Sequence, residues 1–486
     1  MIINMSDKPV ILLNIDSLMP NPLEIAIQTG RAPALQFLME KGSYYPNMVS
    51  SFPTMSVTID SSLLTGTYAN KHQVPGLTWF DDKEKKIVNY GTGFTETFRL
   101  GMRKTIHQML YDLNHKHLSN EVTTIYEELA KKGISSASIN TFVYRGNTPQ
   151  KMKVPRLFQT LTTFKDGKWT AEAPPVLSLG AFSKIRSGSF TYQIAAGNYK
   201  YTAKELLHLI RKRHLPKFTL CTFQDLDARI HLKGPMDMKG ISKIDKEIQK
   251  ILNMFSTWEK AIDEVVWLVM GDNGHAPMRH KYKEAMIDLR KVLKDYKVAK
   301  IERPIRQKDQ LVFCVNQRMA YIYLLDEAIS FEQIIKQLRQ DDRIDIIACK
   351  GKDGVNVTSG SKKGFLRYDR GCAITDVYEQ HWNIEGDLDL LDLDITEGNK
   401  ISFDDYPDVL ARLHGALHSH TGRFLVVNAK PGYDFKAQHT PPHFGAAHGS
   451  LHKQESLVPL IIAGTAEAPI YPRIINLKEF ILRIIH

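Results

Sequence analysis

The stretch Val10-Ile-Leu-Leu-Asn-Ile-Asp16 is a short apolar run that ends in a carboxylate. Six residues of this kind suit a strand buried on both faces better than a helix, which needs a longer period to bury one side. The arrangement recurs twice. FTLCTF at 218–223 leads through Gln224 to Asp225 and Asp227, and VVWLVM at 265–270 leads through Gly271 into Asp272. Ser136–Asn140, Phe424–Val427 and Val458–Ala463 are further candidate strands, and helical patterns cover Glu24–Lys41, Glu121–Lys132, Ala203–His214, Ser242–Asp263, Phe331–Arg339 and Tyr406–Ser419. Strands alternating with helices predict an α/β fold, a mostly parallel central sheet with helices on both faces. Sites in such sheets form beyond the carboxyl ends of strands, so the acids there are the first place to look for chemistry.

The alternation is interrupted. From about 276 to 403 the sequence turns to short strands, the turn-rich KGKDGVNVTSGSKKG and the acidic GDLDLLDLDITEG. This predicts a core from 1–275, an inserted smaller α+β subdomain at 276–403 acting as a cap over the substrate, and the rest of the core at 404–486. Residues 81–118 and 144–200 read as polar excursions from the sheet. With 43% hydrophobic and 24% charged residues in a chain of 486, neither disorder nor a membrane protein fits, and a large core is available. No apolar run approaches the length of a bilayer span, and the N-terminus has neither basic flank nor cleavage site, so a cytoplasmic location is expected. Four scattered cysteines read as core thiols. Lys and Arg outnumber Asp and Glu by 64 to 53, a net charge of +11, but the basic residues are dispersed. That favours steering of a small anionic substrate over specific nucleic-acid binding. Oligomeric state is not legible.

Four segments carry candidate chemistry. Asp227 and His231 in DLDARIHLKGP share a side if the segment is helical, an unspecific pattern by itself. Asp272-Asn273-Gly274-His275 follows a strand directly. His448-Gly449 precedes LVPLIIAG. In SFPTMSVTIDSSLLTGTYANKHQVPG, residues 51–76, a Pro-Thr-Met-Ser turn leads into a helix near Ser56, where a hydroxyl among free backbone N–H groups suits an anion and equally suits a helix cap.

In this order along the chain, Asp16, the FPTMS…TG…H segment, Asp227-x-x-x-His231, Asp272-Asn273-Gly274 and His448-Gly449 resemble the alkaline phosphatase superfamily, and within it the type I phosphodiesterase and nucleotide pyrophosphatase branch. The resemblance spans about residues 8–80, 120–145, 203–275 and 404–465. It implies an alkaline phosphatase-like core and a metal-dependent phosphoric ester hydrolase with two divalent ions and a phosphoserine intermediate. Its substrate would be a small phosphate ester, with a nucleotide in view. A phosphomonoesterase or phosphonate hydrolase of the same superfamily is the alternative, and a metal-binding homologue with weak catalysis a second.

Carried over by position, Asp16, Asp272, Asn273 and the nucleophile hold one ion, and Asp227, His231 and His448 the other. Ser56 lies nine residues before Thr65-Gly66 and is the expected nucleophile; Thr54 is two positions too early. The chain departs from the family at Asn273, where histidine is usual. Zinc is the expected metal, with manganese, magnesium or calcium admitted because an amide oxygen is a harder ligand than imidazole. His275 would replace that imidazole only through an unusual bend. Leu77 stands where many members carry a phosphoryl-binding asparagine, so Met55, through its backbone N–H, and His72 are the expected substrate contacts. The sulfatase signature is absent after Ser56. His414 and His418 read as helix-face residues, and His439, His443 and His452, around His448, as polar loop residues or substrate contacts.

Overall fold

The computed structural model describes residues 8–154, 159, 163–164, 167–186 and 198–485. The N-terminal residues 1–7, and parts of the excursion at 144–200, lie outside the described residues.

Seven strands form the central sheet in the order Ser43–Val49, Leu457–Ala463, Val266–Gly271, Val10–Ile15, Phe218–Phe223, Ser136–Ile139 and Val176–Ser178. Val10–Ile15 pairs in parallel with both Val266–Gly271 and Phe218–Phe223, so three carboxylate-tipped strands lie side by side. Leu457–Ala463 runs antiparallel to both of its neighbours. Alternate residues of the first strand enter different cores, Val10 and Leu12 on one face, Ile11, Leu13 and Ile15 on the other. Helices Ser56–Thr65, Ile125–Lys131 and Leu477–Ile485 cover the first face. Pro20–Gln28, Pro33–Glu40, Tyr199–Arg211 and Met238–Leu252 cover the second. The expected layering is therefore present.

Two expected helices are each divided. Glu24–Lys41 is interrupted between Gln28 and Pro33, because the residue before a proline is driven out of the helical region; Ala32 has ψ 59°. Ser242–Asp263 breaks after Leu252 and restarts at Trp258, capped by the Thr257 side chain.

A second, nearly all-antiparallel sheet of nine strands starts at Leu311–Asn316 and Met319–Leu324. Its third position is Phe424–Ala429, which the sequence placed in the core. The run is apolar on both faces here too, with one side against Leu413 and Leu417 and the other against Ile322 and Ile347, and an apolar run does not say which sheet receives it. The subdomain therefore reaches past residue 403 and takes in the helix Val409–Leu417 and the strand Phe424–Ala429. No described helix is long and apolar enough to cross a membrane.

Candidate active site

The three carboxylate-tipped strands converge on one turn. Ser17 has φ +61°, and the Leu18 N–H donates to the Ile15 carbonyl, so the chain reverses immediately after Asp16. A Cβ at Gly271 would collide with the Leu18 carbonyl, so glycine lets this turn lie against the neighbouring strand. The Ser17 N–H donates to Asp272 Oδ1 at 2.7 Å, and the Asn273 N–H donates to the same oxygen at 2.7 Å. The Ser17 hydroxyl lies 3.2 Å from Asp16 Oδ1, 3.2 Å from Asp227 Oδ1, 2.8 Å from His275 Nε2 and 3.3 Å from Asn273 Nδ2. It ties the two halves of the site together.

The first half is rich in imidazole. Helix Leu226–Lys233 buries Leu226 and Ile230 and turns Asp227 and His231 to the same side, four residues apart, with His231 Nε2 3.2 Å from Asp227 Oδ1. A two-residue ladder, Ala276–Pro277 against Ala446–Ala447, brings His275 beside His448 with ring centroids 4.6 Å apart. Their Nε2 atoms lie 3.2 and 3.4 Å from the same Asp227 oxygen. The His231 Nδ1–H donates to the Ala446 carbonyl at 2.8 Å and the His448 Nδ1–H to the Thr54 carbonyl at 2.5 Å. These bonds turn each Nε2 toward the cluster, where it donates to Asp227 when protonated and offers a lone pair to a cation when the ring is neutral, the arrangement that metal-binding histidines adopt.

The distances fit a metal. Zinc bonds of about 2.0–2.1 Å in a tetrahedron place ligand atoms about 3.3 Å apart, and the three separations from Asp227 Oδ1 are 3.2, 3.2 and 3.4 Å. Burial opposes ionisation of Asp227, but the charge of His231 and hydrogen bonds from His231, His275 and His448 hold its carboxyl well below the usual carboxylate range. Burial pushes His275 and His448 down, toward the neutral form that binds metal. Burial also disfavours the His231 cation, yet the Asp227 charge raises its pKa.

The second half contains only oxygen. Burial, then the charges of Asp272 and Asp227, push Asp16 well above its ordinary value. Burial pushes Asp272 up to about 7 against hydrogen bonds from the Ser17 and Asn273 amides. Asp60, one helical turn beyond Ser56, is pushed well up by burial and by Asp272. Among the described residues no Lys or Arg figures among the groups that set the ionisation of these three carboxylates. Asn273 is fully buried, and its Oδ1 has no hydrogen-bond partner among the described residues. Three crowded acids and an orphaned amide oxygen fit a divalent cation, which would relieve both.

Ser56 is the first residue of helix Ser56–Thr65 and is half-buried. The loop before it is anchored to the imidazole half, since Thr54 Oγ1 accepts from the Gly449 N–H at 2.7 Å and the Thr54 carbonyl accepts from His448. Thr54 is thus committed to structure, while the Thr58 and Ile59 amides donate to the Met55 carbonyl and start the helix.

The two expected substrate contacts are corrected. His72 is fully buried, with Nε2 3.0 Å from Ser62 Oγ and Nδ1 accepting from the Val74 N–H, so both ring nitrogens are used inside the core. The Met55 N–H donates to the Pro53 carbonyl at 2.7 Å, and its side chain is buried. Leu77 packs against the core cluster. His443 stacks on His231 and is held by Asp434, His439 pairs with Glu302, and His452 caps the short helix Lys453–Ser456. His414 and His418 stack on each other along their helix.

Sequence reading admitted His275 only through an unusual bend, and it did not single out Ser17, Asp60 or Gln317. His275 reaches the cluster because its strand pairs with Ala446–Ala447; its imidazole beside Asp272 in sequence is the signal that was available. Gln317, with φ +57° at the tip of the hairpin from Leu311–Asn316 to Met319–Leu324, places its amide nitrogen 2.9 Å from His448 Nε2 and 3.4 Å from His231 Nε2. No local pattern announces it.

A strand-end carboxylate cluster with converging imidazoles, tied through Thr54 to the turn that precedes Ser56, fits the class of metal-dependent hydrolases. The model for type I phosphodiesterase/nucleotide pyrophosphatase matches residues 10–451, and the chain belongs to that family, whose members hydrolyse phosphoric esters. No curated protein matches the sequence. Among solved structures, murine ectonucleotide pyrophosphatase/phosphodiesterase 5 is similar at 13% identity and TM-score 0.58, covering 98% of this chain and 95% of that one. An inactive variant of it in complex with AMP matches at 13% identity and TM-score 0.57, covering 99% and 95%. Phosphonoacetate hydrolase from Sinorhizobium meliloti, in complex with phosphonoformate, matches at 13% identity and TM-score 0.57, covering 99% and 96%.

Proposed function

We propose that the chain cleaves a phosphate diester or nucleotide pyrophosphate by attack of Ser56 on phosphorus, giving a serine phosphodiester that keeps the second ester group and that water then hydrolyses to release a phosphate monoester. Two divalent cations, one held by Asp227, His231 and His448 and one by Asp16, Asp272 and Asn273, would supply the positive charge that draws the phosphoryl group into the site and makes the serine hydroxyl more acidic. The Ser56 Oγ–P bond forms as the ester oxygen departs with its electron pair and takes up a proton. The observation that carries this reading is the placement of the Ser56 turn: Thr54 binds it to the His448 loop, and Asp60 on the next helical turn faces the charge of Asp272. The Ser56 and Val57 amides, at the start of the helix, have no acceptor among the described residues and are positioned to hold a phosphoryl oxygen in place of the missing asparagine at Leu77.

The test is hydrolysis of bis-p-nitrophenyl phosphate, p-nitrophenyl phosphate and phosphonoacetate by metal-loaded protein. Diester turnover should exceed the other two, and Ser56→Ala should lower it at least about 10³-fold, the scale on which nucleophile removal acts. Thr54→Val should retain chemistry, since that hydroxyl serves the Gly449 amide. A Ser56→Ala protein as active as wild type would sink the assignment.

A further inference from the structure

The two halves of the site differ in ligand chemistry more than a matched pair of metal sites would. In the imidazole half, His275 adds a third ring to Asp227, His231 and His448, and the four ligand atoms lie within 4.8 Å of one another. His275 is almost fully buried, and its ring packs edge-on against His231 at 4.9 Å and tilted against His448 at 4.6 Å. Four protein ligands complete a tetrahedron, a closed shell of three nitrogens and one oxygen that suits zinc and leaves no open position.

The other half has lost its only nitrogen. Asn273 occupies the position nearest Asp272, and its orphaned buried oxygen is the one polar atom of that side chain still free, because its Nδ2 is spent on the Ser17 hydroxyl and the Gly274 carbonyl. Asn14 is similar: its Nδ2 lies 3.5 Å from Asp60 Oδ1 and its own Oδ1 has no partner among the described residues. An all-oxygen pocket lined by acids selects a hard cation over zinc.

We propose that the centre is heterometallic: zinc enclosed by Asp227, His231, His275 and His448, and a hard cation of the manganese or magnesium class held by the oxygens of Asp16, Asp272 and Asn273, with Asp60 adding a third negative charge. This rests on reading the cleft as the hydrolytic centre and assigns its two cations unequal parts. The zinc site is positional and the oxygen pocket, next to Ser56, is where substrate binds.

The experiment strips the full chain with chelator, offers equimolar Zn²⁺ and Mn²⁺, and measures bound metal by elemental analysis. Wild type should retain the two metals in equal amounts. His275→Ala should weaken zinc binding at least about tenfold, since even outer partners of metal ligands contribute that much, and leave manganese in place. Co²⁺ offered in place of zinc should give the strong visible absorption of a four-coordinate site in wild type and a weaker one in His275→Ala. Because His275 is buried and its loss can disturb folding, Asn273→His serves as an independent variant: restoring an imidazole should let zinc displace manganese from the oxygen pocket. Wild type that fills both sites with zinc from the mixture, or His275→Ala with unchanged zinc affinity and cobalt spectrum, would overturn the division. Protein that holds both metals as described yet hydrolyses no ester would leave the division standing and remove the hydrolase reading instead. Protein that binds neither metal would overturn both.

Discussion

Asp16, Asp60 and Asp272 are acids that the metal-free fold would rather keep protonated, because burial and their mutual repulsion disfavour three charges in one pocket. For Asp272 the sign is explicit. An unfolded aspartate titrates near 3.9, whereas in the folded protein this one is pushed up to about 7. Between those values the folded state binds the proton more tightly, so the contribution is favourable at low pH and is lost as pH rises through 7. Thermal unfolding of chelator-treated protein should therefore show this term as a stability lost between about pH 4 and pH 7, and Mn²⁺ should raise the midpoint more at pH 8 than at pH 5. A cation effect independent of pH would count against carboxylate ligation. At this scale much of the site was legible, since Asp16, Asp227, His231, Asp272 and His448 each sit at a strand end or on one helix face. His275, Ser17 and Asp60 were not, because their roles depend on a left-handed turn, a two-residue ladder and a helix rotation that only the assembled sheet determines.

Strands and helices position the site through the loops that leave them, and the loop after Ala446–Ala447 is the most constrained. Gly449 has φ +112°, its N–H is bound by Thr54, and an added Cβ would meet the Asn316 carbonyl and, at 2.9 Å, Met55 Cε. Gly449→Ala should destabilise the protein by about 2 kcal/mol or more, combining backbone strain with a clash that no flexible side chain can relieve. It should also weaken metal binding, because His448, one of the clustered candidate ligands, is the preceding residue. Denaturant unfolding with and without metal separates the two effects: a variant with wild-type stability would show that the loop yields. The strands themselves were legible as apolar runs of the right length. What pattern alone did not convey was membership, as Phe424–Ala429 shows, and helix breaks, where Pro33 overrode an otherwise continuous period.

The two sheets form one molecule because buried cations are shared between them. Arg412, on the helix Val409–Leu417 that packs with the second sheet, is completely buried and donates to the carbonyls of Pro407, Leu451 and Ser51 and to Ser456 Oγ. Ser51 leads into the turn before Ser56, and Ser456 opens onto the antiparallel strand Leu457–Ala463 of the central sheet. Arg318, at the hairpin that carries Gln317, is buried against Glu455 and donates to the carbonyls of Ala429 and Tyr433. The second sheet is therefore fastened beside the histidine cluster, and the position of Gln317 next to His231 and His448 follows from that fastening. Burial pushes the Arg412 guanidinium down to about 10, which leaves it charged at neutral pH. Arg412→Met keeps apolar volume but strips three carbonyls and a hydroxyl of their donor in a place water does not reach. The expected cost is about 3–5 kcal/mol, the range for breaking a buried charged network. Calorimetry on wild type should show one cooperative transition, since the two sheets share these donors, and Arg412→Met should lower its midpoint or split it in two. A variant that unfolds in one transition at the wild-type temperature would mean that apolar packing of the Val409–Leu417 helix, and not the guanidinium, holds the cap to the core.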